Sequence, residues 1–183
     1  NGAYLLAYVL ETSGYDFEHM GTLESSFYLS YVYGFTHQNN IPEVLRELIE
    51  SEGDNIDEPN SYDELGEFDY TFMSGWMYSV NGIFPNVGFA DYYLQDGDVI
   101  RVQFTLYGYG RDLGAGGYWG ENFFEDVNKE DLTELLAIIN SLGLAQNEAY
   151  SEAYDAIQVI GTTQSALDIA YQNLYDAYQD DIQ

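Results

Sequence analysis

The chain contains no cysteine, which excludes disulfide staples and thiol chemistry. It has only four cationic side chains, Arg46, Arg101, Arg111 and Lys129, against 32 acidic ones, for a net charge of −28. A surface this negative repels phosphate backbones and anionic lipid headgroups, so nucleic acid and membrane surfaces are not expected as partners. No stretch approaches the roughly 18 consecutive apolar residues of a membrane-spanning helix, and the start lacks the basic n-region of a signal peptide. The first residue is Asn1, not Met. The expectation is a piece of a longer precursor whose signal, wall anchor and neighbouring domains lie outside it.

Catalytic patterns are equally scarce. With two histidines, His19 and His37, a Ser-His-Asp arrangement has few ways to form, and no nucleophile elbow occurs. Neither histidine has a Cys or a second His at ligand spacing, so zinc is not expected and both read as surface or turn residues. The acidic stretch 43–69 invites calcium, but "DNIDEPNSYDEL" lacks the glycine that an EF-hand loop requires at its sixth position. It reads as a solvated surface. Carboxylate pairs are too abundant for any one of them to indicate glycan hydrolysis. The chain is expected not to be an enzyme.

What is present is buriable surface. Apolar residues make up 46% of the chain and aromatics 17%, including 19 Tyr, too much for a disordered acidic segment. An acidic, lysine-poor, tyrosine-rich chain without cysteine suits an exported module, extracellular or cell-wall-attached, of a Gram-positive bacterium.

Two regimes of periodicity divide the sequence. The runs "AYLLAYVL" (3–10) and "FYLSYVYGF" (27–35) read as strands joined by a long loop. "NNIPEVLRELIESEG" reads as a helix capped by Asn40, with Pro42 in its first turn and Glu43 completing a capping box. Its apolar face carries Ile41, Val44, Leu45, Leu48 and Ile49, and Gly53 stops it. After an acidic loop over 50–67, strands resume at "FDYTFM" and "WMYSV". Asn81-Gly82 is the strongest hairpin signal, and a last strand alternates Ile100, Val102, Phe104 and Leu106 with Arg101, Gln103, Thr105 and Tyr107. This order predicts an α+β fold, a β-grasp-like mixed sheet with one helix across it, over residues 1–122.

The glycine-rich stretch 108–120 departs from a phosphate-binding loop at Leu113 and reads as a flexible exit, with Arg111 and Asp112 pairing locally. Residues 123–183 change to helical spacing and predict a small three-helix bundle. Asn128 caps a first helix carrying Leu132, Leu135, Leu136, Ile139 and Leu142. Tyr150, Ala153, Tyr154, Ile157 and Ile160 mark a second, and Thr162 or Thr163 caps a third carrying Leu167, Ala170, Tyr171, Leu174 and Tyr178.

Taken together, "SGWMYSVNG", "PNVGFADYYLQDGDVI" and "RVQFTLYGYGRDLG" resemble the bacterial transcobalamin-like C-terminal domain family, a β-grasp domain of unknown function. Its short motifs correspond here to Gly75 to Gly82, Gly88 to Tyr92, Gln95 to Asp98 and Gly110 to Asp112. The tail, from "NKEDLTELL" to "TTQSALDIAYQNLYDAY", is similar to FIVAR-type modules, three-helix units found in exported surface proteins. The first resemblance implies that the domain supplies half of a site, clamping a corrinoid such as cobalamin against a partner surface. A helical barrel of the kind found in the vertebrate carriers is not contained in this sequence.

Trp76 and Tyr78 lie two apart and share a strand face. Trp76 is expected in the core, and Tyr78 half in the core and half at a rim, because its hydroxyl needs a partner. The loop "IFPNVGFADYY" carries more aromatics than a connection needs. Phe84, Phe89, Tyr92 and Tyr93 either form an exposed binding edge with Tyr78 or fold back on the sheet. The resemblance implies that the segment Gly88 to Tyr92 lies near a bound corrinoid. An extracellular glycan or protein is an alternative ligand, since tyrosine-rich surfaces suit each. A structural or adhesion module with no small-molecule ligand is the competing reading.

Overall fold

Asn1 begins the fold by capping a helix. In the computed structural model, which describes residues 1–117 and 120–182, its side chain accepts the Tyr4 N–H at 3.1 Å at the head of α1 (Gly2–Thr12). Tyr118 and Trp119 of the glycine-rich stretch, and Gln183, lie outside the described residues. The chain separates into two compact units, Asn1–Phe124 and Glu125–Gln183.

The helix α1 stands where a strand was expected over 3–10. An unbroken apolar run has no alternation to separate helix from strand. The cap decides it, together with Ala3, Leu6 and Ala7, which are buried, and Leu10, which packs beside them at helical spacing. The expected long loop is also structured. It holds β1 (Asp16–Thr22), antiparallel to β2 (Ser25–Tyr33). Their tight turn is fixed by the Thr22 hydroxyl, which accepts the N–H groups of Glu24 and Ser25, each at 3.2 Å. Nearly every residue of β1 is exposed, so it lacks the apolar alternation that marks a strand.

A second helix, α2 (Glu43–Ser51), buries Leu45 and Ile49, while Val44 faces solvent. Its N-cap is Pro42, with no side-chain cap, so the expected Asn40 capping box does not form. The Asn40 N–H donates instead to the Gln38 carbonyl. Next, β3 (Glu64–Gly66) pairs with the free edge of β2. The strand expected at "FDYTFM" is displaced by turns, because Phe68 and Tyr70 adopt φ of 67° and 72°. Buried Asp69 organises them by accepting the Gly66 N–H at 2.9 Å, and the Ser74 hydroxyl donates to the Asp69 and Thr71 carbonyls.

Two further strands, β4 (Gly75–Val80) and β5 (Ile100–Thr105), form an antiparallel pair running from Gly75 opposite Thr105 to Val80 opposite Ile100. The unit is thus α+β with two small antiparallel sheets, ordered β1-β2-β3 and β4-β5. The expected mixed sheet with one helix is corrected: β2 spends both edges on antiparallel partners, and α1 adds a second helix. One core joins the layers, with Ala3 and Leu6 of α1, Phe27, Leu29 and Val32 of β2, and Phe89 and Ala90 of a short 3-10 turn (Phe89–Asp91).

The second unit contains α3 (Glu130–Ser141), α4 (Glu148–Gln158) and α5 (Gln164–Tyr178). Side chains cap two of the starts, Asn147 accepting from Tyr150 N–H at 3.0 Å and Thr163 from Ala166 N–H at 3.2 Å. The N-cap of α3 is Lys129, without a side-chain cap, and the expected cap Asn128 sits one residue earlier, accepting from Glu130 N–H at 2.9 Å. Leu132, Ile139, Ala153, Leu167 and Leu174 are the most deeply buried members of their common core. Leu142 and Tyr154 were expected on core faces but are 54% and 51% exposed. Leu142 is the C-cap residue of α3 and falls past its last turn.

The only lysine of the chain closes this unit. Lys129 Nζ donates to the Ile157 carbonyl at 2.9 Å and the Val159 carbonyl at 3.2 Å, a cation on the negative end of α4. Lys129→Met keeps the aliphatic stem and removes the charge, with an expected loss of about 1–2 kcal/mol. Chemical denaturation of the isolated 125–183 unit measures it, and an unchanged midpoint would show that these carbonyls are satisfied without the amine.

Candidate functional site

The two faces of β4 do different work. Trp76 and Tyr78 point to the core shared by α1 and β2. The Trp76 indole N–H donates to the Leu65 carbonyl at 3.0 Å, and its ring meets Phe104 edge-on at 5.4 Å. On the other face Ser79 is buried, and the Met77 sulfur abuts the backbone of Gly110.

Asn81 and Gly82 adopt φ of 50° and 76°, as a two-residue hairpin turn requires. Val80 and Ile83 exchange both backbone hydrogen bonds across it, at 2.9 and 3.0 Å. The Asn81 side chain also donates to Asp98 and accepts the Val99 N–H, both at 2.8 Å, which ties the turn to the start of β5. Only one bridge forms beyond the turn. The chain then leaves as a loop, and the ladder partner of β4 is β5.

The loop returns over the core face of β4 and encloses a cleft of about 230 Å³. The Tyr78 hydroxyl donates to the Val87 carbonyl at 2.7 Å and so pins the loop. From the loop come Phe84, Pro85, Val87, Gly88 and Phe89. Opposite them are Leu6 of α1, Phe27, Tyr28 and Leu29 of β2, the start of β4 and Val102 of β5. No Lys, Arg, His, Asp or Glu is among the described residues of this lining. Its two phenols are held neutral to high pH. Burial, with the neighbouring Glu67 carboxylate, pushes Tyr28 up to about 12. Burial, with Tyr92 and Asp91 nearby, does the same for Tyr78.

Of the five expected site residues, Tyr78, Phe84 and Phe89 line the cleft. Tyr92 packs beside it, its ring edge-on to Tyr78 at 6.2 Å, and Tyr93 is 75% exposed and outside it. Phe89 is not on an exposed edge. It is 4% exposed, its ring stacked on Tyr78 at 4.0 Å. The contributions of α1 and β2 were missed. The alternation of Phe27 and Leu29 could have placed them on one inward face, but not against the loop.

The glycine-rich segment after β5 does not behave as the loose exit expected. Gly108, Tyr109 and Gly110 all have positive φ and wrap the backbone round Asp112. The buried Asp112 carboxylate accepts the Thr105 hydroxyl at 2.5 Å and the Leu106 N–H at 2.7 Å. Burial raises its pKa above the ordinary carboxylate value. Arg111 does not pair with Asp112. It reaches Glu52 at 3.2 Å and lies 4.3 Å from the Phe123 ring centroid. His37 is a half-buried strut rather than a surface residue. Its Nε2 hydrogen-bonds the Glu64 carbonyl at 2.7 Å, and its Nδ1 the Tyr70 hydroxyl at 3.0 Å. Among the described residues no group of three or more His, Asp or Glu is placed to hold a metal ion, and no helix is long and apolar enough to cross a membrane.

No curated protein and no solved structure matches the chain. Residues 60–105, which hold β3, β4, the cleft loop and β5, match the model of a family described as a domain of unknown function, DUF4430, which is the transcobalamin-like family.

Proposed function

We propose that the chain is an exported, cell-surface-associated binding module whose N-terminal unit grips an apolar part of its ligand in the cleft beside β4. The observation that carries this reading is the cleft itself: an apolar, partly open space under a loop pinned by Tyr78, inside the segment that matches the family. Ligand sites are concave, mostly apolar and supported by rigid elements. In this reading the C-terminal unit is a FIVAR-like three-helix bundle that spaces the N-terminal unit from its neighbours.

The transcobalamin-like resemblance offers a corrinoid as the ligand. Enclosed drug-sized ligands fill about 300–1,000 Å³, so a space of about 230 Å³ takes one edge of such a molecule. The rest would lie against a second surface. Cobalamin added to the chain is then expected to shift the corrin absorbance bands, and Phe84→Ala, which removes one wall, to weaken that shift about tenfold. An unshifted spectrum together with no retention on corrinoid resin removes the corrinoid and leaves the ligand class open.

A further inference from the structure

The cleft has an apolar lining, and a carboxylate acts on each of its two phenols. Glu67 acts on the Tyr28 phenol, and its Cγ is 4.0 Å from where a side chain on Gly75 would begin. Asp91 lies against the lining residue Gly88, its Oδ2 3.3 Å from where a Cβ there would sit, and it acts on Tyr78. Both lining phenols are held in their uncharged form with a carboxylate acting on each.

The positive charges of this unit are directed elsewhere. Arg46 pairs with Glu43 at 3.9 Å and Arg111 with Glu52 at 3.2 Å. Arg101 stands opposite Ser79, on the far face of β5 from Ile100 and Val102. The whole chain carries −28. An anionic ligand is therefore repelled by the carboxylates beside the cleft, and a cationic one attracted.

Size narrows the occupant further. A dry apolar cavity of about 150 Å³ holds a benzene molecule, so about 230 Å³ takes a single aromatic or large aliphatic side chain. One such side chain seated in a desolvated pocket, with charges at the rim, is how a polypeptide anchors to a protein surface.

We infer that the cleft between β4 and the 83–88 loop is a docking site for a basic polypeptide, which seats one aromatic side chain among Phe27, Tyr78, Phe84 and Phe89 and sets flanking lysines or arginines against Glu67 and Asp91. This rests on the reading that the cleft is the binding site, but not on a corrinoid as ligand.

Three capped pentapeptides test it by calorimetry on the full chain at about 150 mM salt, where exposed charges farther apart than about 8 Å are largely screened. Lys-Lys-Phe-Lys-Lys is expected to bind at least tenfold more tightly than Lys-Lys-Ala-Lys-Lys, and tenfold more tightly than Glu-Glu-Phe-Glu-Glu. Val87→Trp puts a ring over the mouth from a position that is 50% exposed, and should cost the first peptide tenfold with an unchanged melt. Glu67→Gln with Asp91→Asn should cost it several-fold and flatten its salt dependence.

Equal binding of the phenylalanine and alanine peptides would reduce the effect to general attraction and overturn the inference. So would equal binding of the lysine- and glutamate-flanked peptides, which would leave the cleft as a binding site indifferent to charge. No binding by any phenylalanine peptide overturns the inference. If cobalamin also leaves its spectrum unchanged, the reading of the cleft as a site falls with it; a cobalamin shift alone would keep that reading.

Discussion

Replacing Phe89 by alanine is expected to lower the stability of the N-terminal unit by about 3–5 kcal/mol, the cost of deleting a buried aromatic side chain and leaving its cavity. The ring is held on two sides. Tyr78 stacks on it at 4.0 Å, and Gly2 approaches so closely that a Cβ there would fall 2.1 Å from the ring. The Gly2 N–H also donates to the Tyr92 carbonyl at 3.0 Å, which fastens the start of α1 to this segment. Phe89 is thus a joint between helix, loop and sheet. Domains are stable by only about 5–15 kcal/mol in total, so the loss should bring the first unit's melt well below that of the second, whose core is separate. Tyr93→Ala, at a residue 75% exposed, is the contrast and should change stability by less than about 0.5 kcal/mol. Urea unfolding followed by near-ultraviolet dichroism measures both. Similar midpoints for the two variants would mean that the ring is not a joint.

Raising the pH should unfold the N-terminal unit in a single step between about 10 and 12. Tyr28, Tyr33, Tyr70, Tyr78 and Tyr107 are each pushed up to about 12, in every case chiefly by burial. Neighbouring carboxylates add to it: Glu67 for Tyr28, Glu18 for Tyr33, Asp69 for Tyr70, Asp91 for Tyr78 and Asp54 for Tyr107. The sign follows from linkage. An unfolded tyrosine ionises near 10, so below that pH these phenols contribute in full. As pH rises through the folded values the unfolded chain gains by ionising while the folded chain does not, and stability is lost. The last part of the phenolate absorbance near 295 nm, that of these five rings among the 19 tyrosines, should appear together with the loss of far-ultraviolet dichroism. Ionisation of all 19 phenols with the dichroism intact would show that these five rings are open to solvent.

The sequence told helices apart well where caps and apolar spacing agreed. Thr163, one of the two candidate caps, heads α5, and Leu132, Ile139 and Leu167 occupy the predicted core, whereas the Asn147 cap of α4 was not picked out. It misled at α1, because "AYLLAYVL" has the composition of a buried strand. It also misled at 68–73, where Phe68 and Tyr70 adopt left-handed backbone angles within turns that side-chain bonds hold, locally from Asp69 and Ser74 and at long range from the Thr71 hydroxyl to the Leu106 carbonyl at 2.5 Å. The loop aromatics could be picked out by eye. What could not is that α1 and β2 come up beneath them, since Leu6 and Phe27 meet Phe89 only through tertiary packing.

Arg46 lies in α2, Arg101 in β5 and Arg111 in a turn, while Lys129 precedes α3, its side chain bonded to the Ile157 carbonyl. They are also the only four places in 183 residues where a trypsin-like protease can cut. Cleavage requires an extended, accessible segment of about the length of a loop; Arg46 and Arg101 do not lie in one, whereas Lys129 ends the 125–129 stretch, which has neither helix nor strand and follows on the boundary between the two units. A folded chain of this design would be met by such proteases first at Lys129, and cleavage at Arg46 and Arg101 would follow its unfolding equilibrium rather than its surface.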